Sequence, residues 1–392
     1  MSSTPSPRPN HASRRGARPL VLLALAATAA PPEARAAQRR LEVSGSMAVT
    51  ETYDDNVLGI PDDQRRDTVS RVTPRLGVAY RSPRLELGVH YSREAEAFRR
   101  TSELSTLSAR QDAGLDLRWS PGGGVEAMGR AYYGETHNPG EFAFVQGLDP
   151  RGMQLIGLEL RRTLASRLST VESLSRRLGA RTRITAEHGF TQDKMGGLTG
   201  ITQMAAARLD RKVGPVDALS LAYGLRSFTA LGQVSTSHAA TLTWSREVTP
   251  RAHLELQAGA RLSGRQVDPE LGARLRHRFR RGDVALSYAQ TETVIIGRPT
   301  PVRAKELSAT LTRPLGRNFA LTAGPNLLEA HGKALDVVAY GTIVELTCRL
   351  GRYVSLAGTH RFSIQNAELD GRPRTEMAHN TVLLRLVAGS GR

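Results

Sequence analysis

From Leu41 onward, apolar and polar residues alternate with a period of two in segment after segment. LEVSGSMAV puts Leu41, Val43, Gly45, Met47 and Val49 on one side, and RLELGVHY does the same with Leu85, Leu87, Val89 and Tyr91. HLELQAGARL follows with Leu254, Leu256, Ala258, Ala260 and Leu262, and DVALSY with Val284, Leu286 and Tyr288. The opposite faces read Glu86, Gly88, His90, then Glu255, Gln257, Gly259, Arg261: charged, polar or very small. Successive side chains of a strand point to opposite sides, so this period predicts strands with one apolar and one polar face. The alternating segments run about 10 residues, enough to cross a bilayer at a tilt; strands of a soluble sandwich average about 5–6. After Ala37 no apolar run approaches the ~18 residues of a transmembrane helix.

The breaks between segments come in two kinds. Short ones carry Gly, Pro and Asp turn chemistry, as in SPR (82–84), SPGGG (120–124), GPVD (214–217), VTPR (248–251), RRGD (280–283), PLGRN (314–318) and LGR (350–352). Longer polar stretches lie between them, at 54–67, 138–152 and 367–376. Alternating short and long connections are the asymmetry of an outer-membrane barrel, with tight periplasmic turns and long extracellular loops. Eighteen segments can be counted, starting near residues 41, 68, 84, 105, 125, 152, 179, 200, 218, 235, 252, 268, 283, 302, 318, 334, 353 and 375. The expected fold is all-β, a transmembrane antiparallel barrel of about 18 strands occupying residues 37–392. Residues 164–178, LASRLSTVESLSRRL, have helical spacing and are expected to form a periplasmic turn insert. Tyr80, Trp119, Trp244, Phe279, Phe319 and Tyr353 lie at or near the short turns and on apolar faces, as an aromatic belt at the membrane interface requires. Only 5% of the chain is aromatic, which makes this placement informative.

Composition changes the picture at the N-terminus. Arg8, Arg14, Arg15 and Arg18 precede the apolar run LVLLALAATAA, which is followed by Ala34-Arg35-Ala36. A basic region, a short apolar core and an A-x-A site make residues 1–36 a signal peptide. These residues carry five arginines and one glutamate, so the formal charge of +17 falls by four, to +13, in the exported chain. Such basicity suits a polyanion, but export removes nucleic acid as a partner. The single cysteine, Cys348, excludes an internal disulfide framework.

In GARLRHRFRRGD (272–283), arginines occupy every second position, at Arg274, Arg276, Arg278 and Arg280, with Ala273, Leu275, His277 and Phe279 between them. In a barrel the arginines face the lumen and the apolar residues face lipid. The same phase places Arg71, Arg75, Arg130, Arg181, Arg183, Arg226 and Arg261 in the lumen. Carboxylates on that side, Glu86, Asp116, Glu159, Glu187, Glu255, Glu306 and Glu345, can pair with some of them, and interior charges in a barrel commonly do pair. The four-arginine stripe exceeds what its neighbouring strands supply. A net positive lumen attracts polyanions and repels small cations.

The sequence carries no recognisable catalytic constellation. His360 and Ser363 are three residues apart on a strand and point to opposite faces. Tyr53-Asp54-Asp55-Asn56, with Asp62 and Asp63, offers oxygens to a hard cation, but the spacing matches no EF-hand and reads as a solvated acidic rim. No enzyme activity, cofactor or metal is expected.

SGSMAVTETYDDNVL (44–58), a first strand running into the acidic rim of Asp54, Asp55 and Asn56, resembles the opening of the outer-membrane β-barrel porin family found beside exopolysaccharide export genes. The resemblance implies an 18-stranded barrel that passes a secreted polysaccharide to the cell surface, docked above a periplasmic polysaccharide-export protein. Outer-membrane lipids and the barrel-assembly machinery would be its other partners. The chain departs from the usual pattern at its end: VLLRLVAGSGR has no terminal aromatic, so the assembly signal would be the internal TVLLRLV (381–387). Two other functions fit the residues: a general or anion-preferring diffusion porin, and a structural or adhesive barrel whose lumen is closed by its own side chains.

Overall fold

The computed structural model describes residues 40–59, 64–138, 162–293, 301–332, 335–369 and 374–389. The expected signal peptide (1–36), residues 139–152 of the expected long loop, the expected strand start near 152, Glu159, and Asp62 and Asp63 lie outside the described residues.

Eighteen strands follow one another in chain order. They are β1 (Arg40–Asp54), β2 (Asp67–Arg81), β3 (Leu85–Phe98), β4 (Thr106–Gly122), β5 (Val125–Thr136), β6 (Ala165–Arg177), β7 (Thr182–Met195), β8 (Leu198–Lys212) and β9 (Asp217–Ala230). The second half comprises β10 (Gln233–Thr249), β11 (Ala252–Ser263), β12 (Gln266–Phe279), β13 (Gly282–Thr293), β14 (Val302–Pro314), β15 (Phe319–Gly332), β16 (Leu335–Arg349), β17 (Val354–Leu369) and β18 (Thr375–Gly389). Each pairs antiparallel with the next, and β1 pairs with β18 from Ser46↔Gly389 to Asp54↔Thr381, so the sheet is closed. Closure leaves no edge with unpaired backbone groups, and in lipid only helices and closed barrels meet that condition. Among the described residues no helix is long and apolar enough to cross a membrane; the strands do the crossing.

Partners in the register share a face, so one phase can be followed around the wall. Val43, Leu76, Leu87, Leu117, Leu221, Leu242, Leu256, Leu275, Leu286, Leu307, Val344 and Leu384 all lie on the outer phase. Most of these large apolar side chains are more than a third exposed, a condition that only lipid makes favourable over so wide a surface. The chain is an outer-membrane β-barrel.

Every strand but the sixth begins within three residues of the position the alternation predicts. Residues 164–178 do not form a turn insert. They are β6, bonded along its whole length to β5 (Val125↔Arg176 to Thr136↔Ala165) and to β7 (Ala165↔Met195 to Arg177↔Arg183). Leu164, Leu168, Val171, Leu174 and Leu178 have helical spacing, but Leu168 and Leu174 also share the strand's outer phase. Two flanking ladders outweigh the local pattern. The connections also alternate less strictly than expected. On the loop side, 196–197, 231–232 and 264–265 are two-residue turns as tight as any on the other side. Gly196 and Gly197 (φ 55° and 86°), like Leu231 and Gly232 (φ 51° and 75°), take the paired left-handed conformation that two-residue hairpins require.

Candidate functional site

The lumen changes character along its axis. At the loop end its wall is packed, with apolar side chains set among buried polar ones such as Asp67, Glu96, Thr136, Thr293, Glu306 and Gln365. Val69, Phe98, Phe228, Val302, Ala304, Leu328, Ala330, Val337 and Ala339 are inner-phase residues near the loop ends of their strands, all less than 8% exposed. At the short-turn end the inner phase is charged and open: Arg75, Arg274, Arg276, Arg278 and Arg385 are all exposed.

Two contacts span the packed end. Arg162, just before β6, pairs with Glu96 on β3, and its guanidinium lies 4.7 Å from the centre of the Phe98 ring. Burial, with Arg71 close by, pulls the Arg162 guanidinium down to about 10, so it remains charged at neutral pH. The second contact is made by β13. Its pairing with β12 stops at Leu271↔Gln290, while β12 from Gln266 to Glu270 continues with β11 alone. Beyond that point β13 leans inward. Glu292 accepts hydrogen bonds from Ser237 Oγ on β10 (2.6 Å) and Ser263 Oγ on β11 (3.0 Å), and lies 3.5 Å from Arg261 Nη1. Arg226 on β9 donates to the Glu292 carbonyl, and Arg261 Nε donates to Glu270, which also accepts from Thr291 Oγ1 at 3.3 Å. Neighbouring strands are ~4.8 Å apart, so β10 lies about 14 Å from β13 along the wall. A side chain covers that gap only across the inside of the cylinder. The result is a closed electroneutral cluster of two arginines and two glutamates, with Arg261 7% and Glu270 5% exposed.

Arg226 and Arg261 belong to the buried cluster. Arg71 lies 3.5 Å from both Glu94 and Glu96. Arg130 donates to Asp116 across β4 and β5 at 2.9 Å, and this pair is exposed. Arg183 lies on the inner phase of β7 opposite Asp210. Arg181 and Arg280 are not on the wall: both sit in short turns, where the strand phase has ended, and so belong to the periplasmic rim. Arg276 Nη2 lies 3.5 Å from Asp283. Arg75, Arg274 and Arg278 make no ion pair among the described residues. Glu255 stands directly opposite Arg274 in the register without reaching it. The inner phase of β12 is therefore a track of three arginines with one carboxylate in contact.

Asp54 ends β1 on its inner phase, and Asp55 and Asn56 follow it. Sequence reasoning missed their partner, His379, whose Nε2 donates to Asp54 at 2.6 Å. Asp55 accepts from the Asn380 backbone N–H (2.8 Å) and side-chain amide (3.0 Å). Ligand atoms of Asp54, Asp55 and His379 lie within 4.8 Å of one another. These bonds join the loop ends of β1 and β18 where the barrel closes. A separation of 325 residues between His379 and Asp54 left no local signal. Of the aromatics, Tyr80, Trp119, Trp244, Phe279 and Phe319 lie on the outer phase toward the short turns. Tyr353 is in the turn before β17, with Arg352 stacked on its ring at 5.3 Å. His360 and Ser363 fall on opposite faces of β17, as expected.

No family model matches the chain, and no curated protein matches it. Among solved structures it is similar to OccK3 (OpdO) of Pseudomonas aeruginosa, with 13% identity over 89% of this chain and 96% of that one, at a TM-score of 0.48. The anion-selective porin of Comamonas acidovorans is 11% identical over 90% and 100% of the two chains (TM-score 0.42). The siderophore receptor PirA of P. aeruginosa is 9% identical over 89% and 80% (TM-score 0.43). None of the three reaches a TM-score of 0.5, and what each conducts or binds is a property of that protein.

Proposed function

We propose that this barrel is a passive outer-membrane diffusion channel, not an enzyme, with a preference for anionic solutes. The observation that carries the reading is the β12 track. Arg274 and Arg278 are exposed to the lumen with no ion pair among the described residues, and Arg276 has one carboxylate, Asp283, at 3.5 Å. Exposed guanidinium groups on a low-dielectric wall raise the local concentration of anions and repel cations. They are spaced along one strand, so a solute can pass from one to the next without being held. The packed mouth favours small solutes over a polymer while the β13 tip is seated. An exit for an acidic exopolysaccharide, working with a periplasmic export protein, would use the same arginines and needs that tip displaced.

The test is ion selectivity of the purified barrel in a planar bilayer under a potassium chloride gradient. The expected reversal potential has the sign of chloride preference, and changing Arg274, Arg276 and Arg278 to Glu reverses it. A barrel that inserts and never conducts would overturn the channel reading in favour of a structural barrel. Conductance that ignores the triple substitution would remove the β12 track. Loss of surface polysaccharide on gene deletion, restored by the wild-type barrel only, would move the assignment to export.

A further inference from the structure

The outer face of β5 to β8 differs from the rest of the belt. Glu172 on β6 and His188 on β7 are direct register partners on the lipid-facing phase, with Nδ1 and Oε2 2.9 Å apart. Their side chains are 52% and 58% exposed. They are not interface residues: along the same phase, Leu168 and Leu174 bracket Glu172, and Ile184 and Phe190 bracket His188. Gln203, opposite Phe190 on β8, adds a third polar group to the patch. Around this centre the side chains are very small. Gly129 is the register partner of Glu172, Ala205 of His188, and Ala186 of Ala207. Elsewhere the outer phase also carries alanines, such as Ala240, Ala258 and Ala260, and single histidines at His238, His277 and His360. Among the described residues, a carboxylate hydrogen-bonded to a histidine within the apolar part of this phase, away from the strand ends, occurs only here.

Lipid chains offer a carboxylate–imidazole pair no hydrogen bonds, so a patch of this kind is costly in lipid and useful against protein. Small residues let two walls approach closely, and the polar groups then bond across the contact. We infer that this face is an interface with a second copy of the chain. The choice of occupant follows from self-complementarity. All copies share one orientation in the membrane, so a two-fold axis along the membrane normal apposes β6–β7 with itself. A patch centred on one acid and one base then meets its own complement, Glu172 facing His188 of the partner subunit and the reverse. The inference rests on the barrel fold and is independent of what the lumen conducts.

The experiment is disulfide cross-linking of the full chain in native outer membranes. In a Cys348→Ser background, Ala186→Cys, on the outer phase of β7 beside the two-fold axis, is compared with Val78→Cys, an outer-phase position on β2. The expected result is a covalent dimer of twice the chain mass at position 186 and none at 78, with native mass spectrometry of the uncross-linked protein also giving a dimer. Replacing both Glu172 and His188 by Leu should shift the dimer toward monomer by at least tenfold in concentration. No adduct at 186 together with a monomer mass would overturn the inference. So would equal adducts at both positions, which indicate random collision, an adduct with a different protein, or a double-leucine variant that dimerises as well as the parent.

Discussion

Glu292→Gln tests the account of the barrel mouth most directly. The substitution keeps the shape of the side chain and removes its charge, so the buried cluster of Arg226, Arg261, Glu270 and Glu292 goes from neutral to one net positive charge. Removing one partner of a buried ion pair costs about 3–5 kcal/mol if the structure stays put. Here it need not stay put. Beyond Gln290, β13 has no ladder with β12; it stays paired with β14 as far as Thr293↔Val302, and on its other side its tip is held by Ser237, Ser263, Arg261 and Arg226. Swinging the tip out frays the last β14 pairs but returns both arginines to lumen water and avoids most of the cost, while the rest of the barrel remains closed by its eighteen ladders. A bias of ~3 kcal/mol corresponds to about a hundredfold change in the ratio of open to seated tip. The expected outcome is a larger single-channel conductance, or much longer dwell in a larger state, with an unchanged unfolding midpoint in urea. Faster hydrogen exchange confined to 290–293 should accompany it. A variant with parental conductance and parental exchange at the tip would refute the idea that this cluster seats the tip.

Other consequences are open to the same kind of test. Leu286→Arg puts a charge on the outer phase of β13 and should destabilise the barrel by about 2–4 kcal/mol in urea unfolding from vesicles. Ser287→Glu, one residue along on the inner phase and directly opposite Arg274, exchanges the Ser308 contact for a cross-strand ion pair and should leave the midpoint nearly unchanged while weakening anion preference. Single cysteines at 275 and 276 in a Cys348→Ser background should differ, with only Arg276→Cys reached by a water-soluble thiol reagent from the lumen; equal reaction would sink the face assignment. Asp55→Ala leaves the Asn380 N–H and side-chain amide without their acceptor where β1 meets β18. It should lower stability by ~1–3 kcal/mol, seen as a lower temperature for the heat-induced gel shift.

The wall of the barrel was legible because its information is local. A period of two fixes which residues face lipid, and a Gly or Pro turn fixes where the chain reverses; both signals fit within about ten residues. That is why the starts of β11, β14 and β18 fall at residues 252, 302 and 375, as the alternation predicts. The same local reasoning failed at β6, where Leu164, Val171 and Leu178 fit a helix and only the flanking ladders decide. It also failed wherever the structure depends on residues meeting across the lumen. Glu292 sits on the outer phase by its register with Arg303, so the alternation assigns it to lipid or solvent. That it turns inside follows from the place where β12 and β13 part, which no single segment encodes.

The arginines show what this difference means for function. By phase alone Arg261 and Arg274 are equivalent: both are inner-phase residues, on adjacent strands, and each has a carboxylate opposite or beside it. Arg261 is buried and neutralised by Glu270 and Glu292 because the leaning tip of β13 brings the second acid to it from two strands away. Arg274 faces Glu255 on the neighbouring strand, yet no pair forms and water reaches the guanidinium. One arginine therefore helps seat the mouth and the other remains available to a passing anion. A barrel that conducts selectively needs both states, since a wall of fully paired charges has no field to offer and a wall of unpaired ones has nothing to hold its mouth in place. The division predicts separable effects: charge reversal at Arg274 should change which ions pass, and loss of Arg261 should change how wide the path is. If both substitutions altered selectivity alike, with no change in conductance at Arg261, the two ends of the lumen would not be doing different jobs.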